Sequence, residues 1–152
     1  MMLNRRELIS ALGLLGFSTA FGQSFADNLA LPLIQKPIPT SKELLPVIGI
    51  GTSRTFDKES TQKNLNQFLP VLEAFFSNGG TLIDSSAMYG KAERFSGDLI
   101  RHMPAKPKPF FATKVWTTGK QEGIVQMKRS FERLGAKTID LMQIHNLKDW
   151  EV

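Results

Sequence analysis

The chain has 152 residues, of which 41% are hydrophobic and 22% charged, and this length and composition predict one globular domain with a single core. The formal net charge is +5, but the basic residues are scattered and form no stripe with aromatic side chains, so nucleic-acid binding is not expected. The absence of cysteine excludes disulfides, zinc-thiolate sites, iron-sulfur clusters and a cysteine nucleophile.

The N-terminal segment has the pattern of an export signal. Arg5 and Arg6 precede an apolar stretch from Leu8 to about Phe21, and residues 24–26 give a small-x-small pattern. Paired arginines in this position are typical of the twin-arginine route, which exports folded proteins. We therefore expect residues 1–26 to be a twin-arginine signal peptide, with the export machinery as a partner and a periplasmic location. The alternatives are a buried amphipathic helix and a membrane helix, for which the stretch is short.

The next segments predict a tether, a strand and a helix. The stretch from Asp27 to about Thr40 contains three prolines and no helical period, which predicts a tether. A short apolar run from Leu45 to Ser53 predicts a strand that is covered on both faces. A helix ending at Asn78 to Gly80 is predicted from apolar residues at three- and four-residue steps: Leu65, Phe68, Leu69, Leu72, Phe75 and Phe76. Pro70 lies inside this pattern and predicts a kink or a restart.

The strand and helix unit then repeats along the chain. The segments TLIDSS, FFATKVW and IDLMQIHN predict three further strands, and helical patterns in AERFSGDLIRHM and KQEGIVQMKRSFERLGA lie between them. A proline-rich segment ends the first of these helices, and Gly135 is the expected end of the second. This alternation, with parallel-sheet composition, predicts an α/β fold built from right-handed crossover units.

Three ionisable residues occupy the same place in successive units. Lys114 follows Asp84 by 114 − 84 = 30 positions, and His145 follows Lys114 by 145 − 114 = 31 positions. One strand and helix unit takes about 30 residues, so each residue is expected at the carboxyl end of its own strand. In a βα barrel the catalytic residues lie at this rim. Tyr89, the only tyrosine in the chain, follows Asp84 in the loop on the same side.

Each of these residues also has an ordinary structural explanation. Asp84 could cap a turn or a helix, Tyr89 could be a surface aromatic, and His145 could be a satisfied core histidine. Lys114 is harder to explain in this way, because a lysine in a buried strand needs a partner. The arrival of all of them at matching strand ends favours a functional site.

Together these side chains can polarise and protonate a carbonyl oxygen. Asp84 can pair with Lys114, and a nearby ammonium favours the ionised phenol, so Tyr89 should release its proton more readily. His145 can donate a further hydrogen bond into the same space. The chain shows no nucleophile with an adjacent base and no metal-ligand set, so a nicotinamide is the natural hydride source. It has no G-x-G-x-x-G motif, which argues against a Rossmann site.

These motifs resemble the aldo-keto reductases. The resemblance runs from PIPTSKELLPVIGIGTS through LIDSSAMYGKAE and FATKVW to IDLMQIHN, in the order and spacing of that family. It implies a (β/α)8 TIM barrel that reduces the carbonyl group of a small-molecule aldehyde or ketone with NADPH and without a metal. By this resemblance Tyr89 would be the general acid, Lys114 and Asp84 would tune it, and His145 would orient and polarise the carbonyl.

The resemblance also implies binding residues and domain bounds. The residues that would contact the nicotinamide end of the cofactor are Gly51, Thr52, Ser53 and Asp84. The residues that would line the substrate pocket are Trp116 and His145. The segment KPIPTSKELLP would be a hairpin that closes the bottom of the barrel. Residues 27–45 would then form the tether and hairpin, and residues 46–152 the N-terminal half of the barrel.

A complete barrel of this type takes about 250 residues, whereas the patterns in this chain account for its first four strands. In the family the later strands supply most of the grip on the cofactor, so we expect a truncated form of a full-length reductase. An open half-barrel would have two bare strand edges and one poorly covered sheet face, which predicts self-association. Two alternatives stay open: a binding or regulatory module that senses the cofactor, and an inactive half-barrel that needs a partner.

Overall fold

The computed structural model describes residues 33–151, so the expected signal peptide, residues 1–26, lies outside the described residues. The elements in chain order are β1 (Gln35–Pro37), β2 (Leu44–Pro46), β3 (Ile50–Gly51), α1 (Gln62–Ser77), β4 (Leu82–Asp84), α2 (Ala92–His102), β5 (Phe110–Val115), α3 (Lys120–Leu134) and β6 (Leu141–Ile144). A 3-10 turn, His145–Leu147, follows β6. Within the described range, every helix is too short or too polar to cross a membrane.

A four-stranded parallel sheet in the order β3-β4-β5-β6 forms the centre of the fold. Its register pairs Gly51 with Asp84 and Lys114 with Gln143. A helix lies between each strand and the next, so the carboxyl ends of all four strands meet at one edge of the sheet. This is the expected α/β architecture, in the strand order of one part of a βα barrel.

An antiparallel hairpin precedes the sheet, and its second strand includes residues that were predicted to belong to the first strand of the sheet. β1 pairs with β2, with Gln35 opposite Pro46, as expected of a closing hairpin. The single strand predicted from Leu45 to Ser53 is instead divided between β2 and the two residues of β3. Val47 and Ile48, which lie between them, are 44% and 67% exposed. An apolar run indicates that a strand is possible, but it does not show which of its residues are buried. Here the middle of the run is the exposed segment that connects β2 to β3.

Helix α1 is continuous through Pro70, so the predicted restart does not occur. Thr61 caps its start by accepting the N–H of Asn64 at 3.3 Å, and the helix gives way to the expected Asn-Gly-Gly end. Leu65 and Leu72, on either side of Pro70, are both buried. Core packing on both sides therefore holds the two halves in one helix despite the missing N–H of the proline.

The core lies where the helices cover one face of the sheet. Its larger cluster contains Phe56, Leu65, Leu72, Ala92, Phe95, Leu99 and Met103. Phe68 packs edge-to-face against Phe56 and Phe95, with ring centroids 5.2 Å apart in both pairs. Strand residues alternate between faces, so Ile83 and Phe111 join a second cluster on the helix side. Asp84 and Lys114, one and three positions further along their strands, therefore project from the opposite face.

Candidate active site

The ends of β4 and β5 bring Asp84 and Lys114 into direct contact. Lys114 Nζ donates to both carboxylate oxygens of Asp84 at 2.7 Å and to the backbone oxygen of Ser85 at 2.8 Å. The Lys114 side chain is 14% exposed and that of Asp84 is 36% exposed. The ammonium is thus held by three oxygen acceptors and has little contact with water, which gives a strand lysine the partner that it needs.

Tyr89 lies in the loop after β4, close to this ion pair. Its ring centroid is 5.4 Å from Lys114 Nζ and 5.5 Å from the centroid of the His145 ring, which stands perpendicular to it. The Tyr89 N–H donates to the backbone oxygen of Ser86 at 2.9 Å, so a tight turn fixes the tyrosine just before α2. Among residues 33–151 the phenol oxygen has no hydrogen-bond partner that would compete with a ligand.

His145 lies directly after β6, as the first residue of the 3-10 turn. Its Nδ1 is 2.7 Å from the hydroxyl oxygen of Ser86. The next residue, Asn146, has a φ of 58°, so the chain turns sharply away just beyond the imidazole. The structure therefore brings Asp84, Tyr89, Lys114 and His145 together at one edge of the sheet.

The loop after β3 contains three residues that the resemblance connects with a nicotinamide. Thr52 is fully buried, and its N–H donates to the backbone oxygen of Asp84 at 3.0 Å. Its hydroxyl lies 2.9 Å from Ser85 Oγ. Gly51 and Ser53 are exposed, and apart from Gly51 and its two chain neighbours no described residue has an atom within 4 Å of the place where a Cβ on Gly51 would be. Thr52 thus joins this loop to β4, whereas Gly51 and Ser53 are accessible to a ligand.

Trp116 follows β5 and is 37% exposed. The backbone N–H of Trp116 donates to Gln126 Oε1 at 2.5 Å, and Gln126 Nε2 donates to the backbone carbonyl oxygen of Trp116 at 3.1 Å. Lys148 Nζ lies 4.8 Å from the centroid of the indole. Helix α3 therefore fixes the backbone of Trp116, and the exposed indole has a cation beside it, outside the contacts of the four central residues.

Two residues that interact with the site were not singled out from the sequence. Ser86, two positions after Asp84, contacts His145. Glu93 is 1% exposed, and its carboxylate accepts a hydrogen bond from the hydroxyl of Thr113 at 2.7 Å. The same carboxylate forms an ion pair with the guanidinium of Arg133 at 3.5 Å. Thr113 directly precedes Lys114, so this buried carboxylate links α2 to the strand that carries the lysine. No group of three or more metal-ligating side chains occurs in the described part of the chain.

Comparison with known proteins identifies the family. Residues 47–152 match the model of the aldo/keto reductase family. The chain belongs to this family. An aldo-keto reductase of Mycolicibacterium vanbaalenii is 33% identical over 103 residues, which cover 66% of this chain and 34% of that protein. Aldehyde reductase YPR1 of Saccharomyces cerevisiae is 26% identical over 101 residues, which cover 66% of this chain and 30% of that protein. The chain therefore spans about a third of the length of these curated relatives.

Solved structures of aldo-keto reductases have the same fold. An aldo/keto reductase from Klebsiella pneumoniae, in complex with NADP and acetate, aligns with a TM-score of 0.55 and 25% identity. The alignment covers 68% of this chain and 36% of that chain. The parallel sheet described above is thus consistent with four strands of the (β/α)8 barrel of this family.

Proposed function

We propose that this chain provides the proton-donating group of an NADPH-dependent oxidoreductase that reduces an aldehyde or a ketone to an alcohol. The observation that carries this proposal is the approach of two groups to the ring of Tyr89: Lys114, which is fixed by Asp84, and His145. Phenol, ammonium and imidazole then surround one point at which a carbonyl oxygen can be polarised and protonated.

Each residue has a distinct role in this proposal. Tyr89 gives its proton to the carbonyl oxygen as negative charge develops there. The Lys114 ammonium stabilises the phenolate that remains, because an opposite charge nearby favours the ionised form. Asp84 holds the ammonium in place through two hydrogen bonds. His145 donates a hydrogen bond that orients the carbonyl oxygen.

The described residues fit a nicotinamide at one end of the cofactor. Gly51 has open space where a side chain would be, and Ser53 is exposed beside it, so these two residues would hold the nicotinamide end. When bound, NADPH would supply the hydride. The Klebsiella pneumoniae relative contains NADP, which supports a nicotinamide cofactor for the present chain.

Replacement of Tyr89 by phenylalanine tests the proposed chemistry. We expect Tyr89→Phe to lower the rate of carbonyl reduction about 100-fold or more, the usual contribution of a positioned general acid. The rate is measured as NADPH oxidation, with the chain alone and with the chain complemented by the C-terminal part of a relative's barrel. Ser77→Ala, which removes an exposed hydroxyl at the end of α1, serves as the control and should be unaffected. Unchanged reduction by an otherwise active Tyr89→Phe protein would rule out this mechanism.

A second candidate is a module that binds the cofactor without turnover. The accessible Gly51 and Ser53 in the loop after β3 support this candidate, because they can contact a cofactor whether or not turnover follows. Measurement of NADPH binding and oxidation distinguishes the two candidates. A binding module would bind NADPH and leave it unoxidised in the presence of any carbonyl compound. NADPH oxidation that is lost in Tyr89→Phe would instead support the reductase.

A further inference from the structure

Ser86 contacts the candidate active site directly although it is not one of the four central residues. Its side chain is fully buried, and its Oγ lies 2.7 Å from Nδ1 of His145, 59 positions away in the chain. The same oxygen accepts the backbone N–H of Met88 at 3.1 Å. The loop backbone thus holds the hydroxyl in place against one particular nitrogen of the imidazole.

The direction of the Ser86–His145 hydrogen bond follows from the partners of the hydroxyl. A serine hydroxyl has one proton to donate and two lone pairs that accept. One lone pair takes the N–H of Met88, and within residues 33–151 the one acceptor beside the hydroxyl is Nδ1 of His145. A fully buried hydroxyl does not donate to bulk water, so donation to Nδ1 is the arrangement that satisfies it. Nδ1 then has the lone pair, and a neutral ring has its proton on Nε2.

We propose that Ser86 is a positioning residue that fixes His145 in the Nε2–H tautomer. The nitrogen that faces away from Ser86 is then a neutral hydrogen-bond donor. Such a donor can hold a carbonyl oxygen beside Tyr89, and it has no lone pair with which to take the phenol proton, so that proton goes to the substrate. This consequence rests on the proposed function, whereas the tautomer itself does not depend on any activity.

The second histidine of the chain provides an internal reference. The chain has two histidines, and Nδ1 of His102 lies 2.7 Å from the backbone oxygen of Asp98. A carbonyl oxygen only accepts, so Nδ1 of His102 must donate in this contact. The proposal therefore predicts opposite tautomers for the two neutral rings, with the proton on Nε2 in His145 and on Nδ1 in His102.

Nuclear magnetic resonance of the ring nitrogens tests the proposal directly. Long-range proton–nitrogen spectra of the isotope-labelled chain are recorded at about pH 8.5, roughly two units above the ordinary histidine pKa. His102→Gln identifies the signals of His145. We expect a pyridine-like Nδ1 and a pyrrole-like Nε2 for His145 in the unsubstituted chain. Ser86→Ala should shift both nitrogens towards averaged values, and Ser86→Thr, which keeps the hydroxyl, should restore the original pattern.

Ser96→Ala is the matched control for these variants. Ser96 is as fully buried as Ser86, and its hydroxyl has no partner in the described part of the chain, so its removal should leave the His145 signals unchanged. A protonated Nδ1 on His145 in the unsubstituted chain would overturn the proposal, whether or not Ser86→Ala folds. An unchanged His145 pattern in folded Ser86→Ala would also overturn it. Absence of carbonyl reduction with the expected tautomer would contradict the proposed function alone.

Discussion

At the scale of single residues, the two partners of the central ion pair are not equivalent. The Lys114 side chain is 14% exposed, whereas that of Asp84 is 36% exposed. A charge that loses its partner is less costly where water can reach it. Lys114 also donates to the backbone oxygen of Ser85, but that neutral acceptor does not compensate its charge. The pair is therefore more sensitive to loss of the carboxylate than to loss of the ammonium.

This asymmetry predicts an order of stabilities. Asp84→Asn should lower the free energy of unfolding by about 1–2 kcal/mol, below the range for a fully buried pair because both groups retain some water. Lys114→Met should lower it by less, since the remaining carboxylate is easier to hydrate. Urea denaturation of both variants measures the difference, with Glu132→Gln on the exposed side of α3 as the control. Equal losses, or a larger loss for Lys114→Met, would contradict this interpretation.

The four central residues could be predicted from sequence, but the residues around them could not. Asp84, Lys114 and His145 recur at the period of one strand and helix unit, so their common position follows from the repeat alone. The contact between Ser86 and His145 spans 59 positions and depends on how the loop turns. Glu93 was likewise missed, because its partner Thr113 is on another element. Local sequence patterns predict where a strand ends, but they do not predict which side chains from distant parts of the chain come into contact.

At the scale of elements, α2 and α3 approach closely at one glycine. A Cβ on Gly97 of α2 would lie 2.3 Å from the backbone oxygen of Arg133 in α3. Backbone atoms cannot move aside as a flexible side chain can, so the glycine permits the short distance between the helices. Glu93 and Arg133 form an ion pair across the same contact. The helix that follows Tyr89 is thus fixed against its neighbour by packing and by charge.

Alanine at two helical glycines should have opposite effects. Gly97→Ala forces the helices apart and should lower the free energy of unfolding by about 1–3 kcal/mol, the usual cost of overpacking. Gly123→Ala in α3 should raise it by about 0.5–1 kcal/mol, because alanine is the better helix former. A Cβ on Gly123 would meet only Val115 Cγ1, at 3.8 Å. Thermal or urea unfolding measures both, and a neutral Gly97→Ala would show that α2 and α3 can separate freely.

At the scale of the whole molecule, the sheet is open at both edges within the described residues. β3 pairs only with β4, and β6 pairs only with β5. Large apolar side chains lie exposed at or near these edges: Val47, Ile48, Leu141, Ile144, Leu147 and Trp150. Bare strand edges with exposed apolar residues favour pairing with another chain.

We therefore propose that the 152-residue chain, when isolated, associates with copies of itself through the β6 edge. Sedimentation analysis over a range of concentrations should show dimers or larger species. The double variant Leu141→Lys and Ile144→Lys should shift the distribution towards monomer, because charges on an edge strand oppose pairing. Val71→Lys, which changes an exposed apolar residue of α1, is the control and should leave the distribution of oligomers unchanged. A chain that sediments as a monomer at every concentration would refute self-association.

The buried Thr52 fixes the loop after β3 relative to the central ion pair. Through its N–H and its hydroxyl it joins the loop after β3 to the backbone of β4, which ends at Asp84. Asp84 in turn holds Lys114, so one chain of hydrogen bonds connects the loop, the carboxylate and the ammonium. The separation between the accessible loop and the proton-donating group is therefore set before any ligand arrives. Such preorganisation means that binding need not spend free energy on assembling the site.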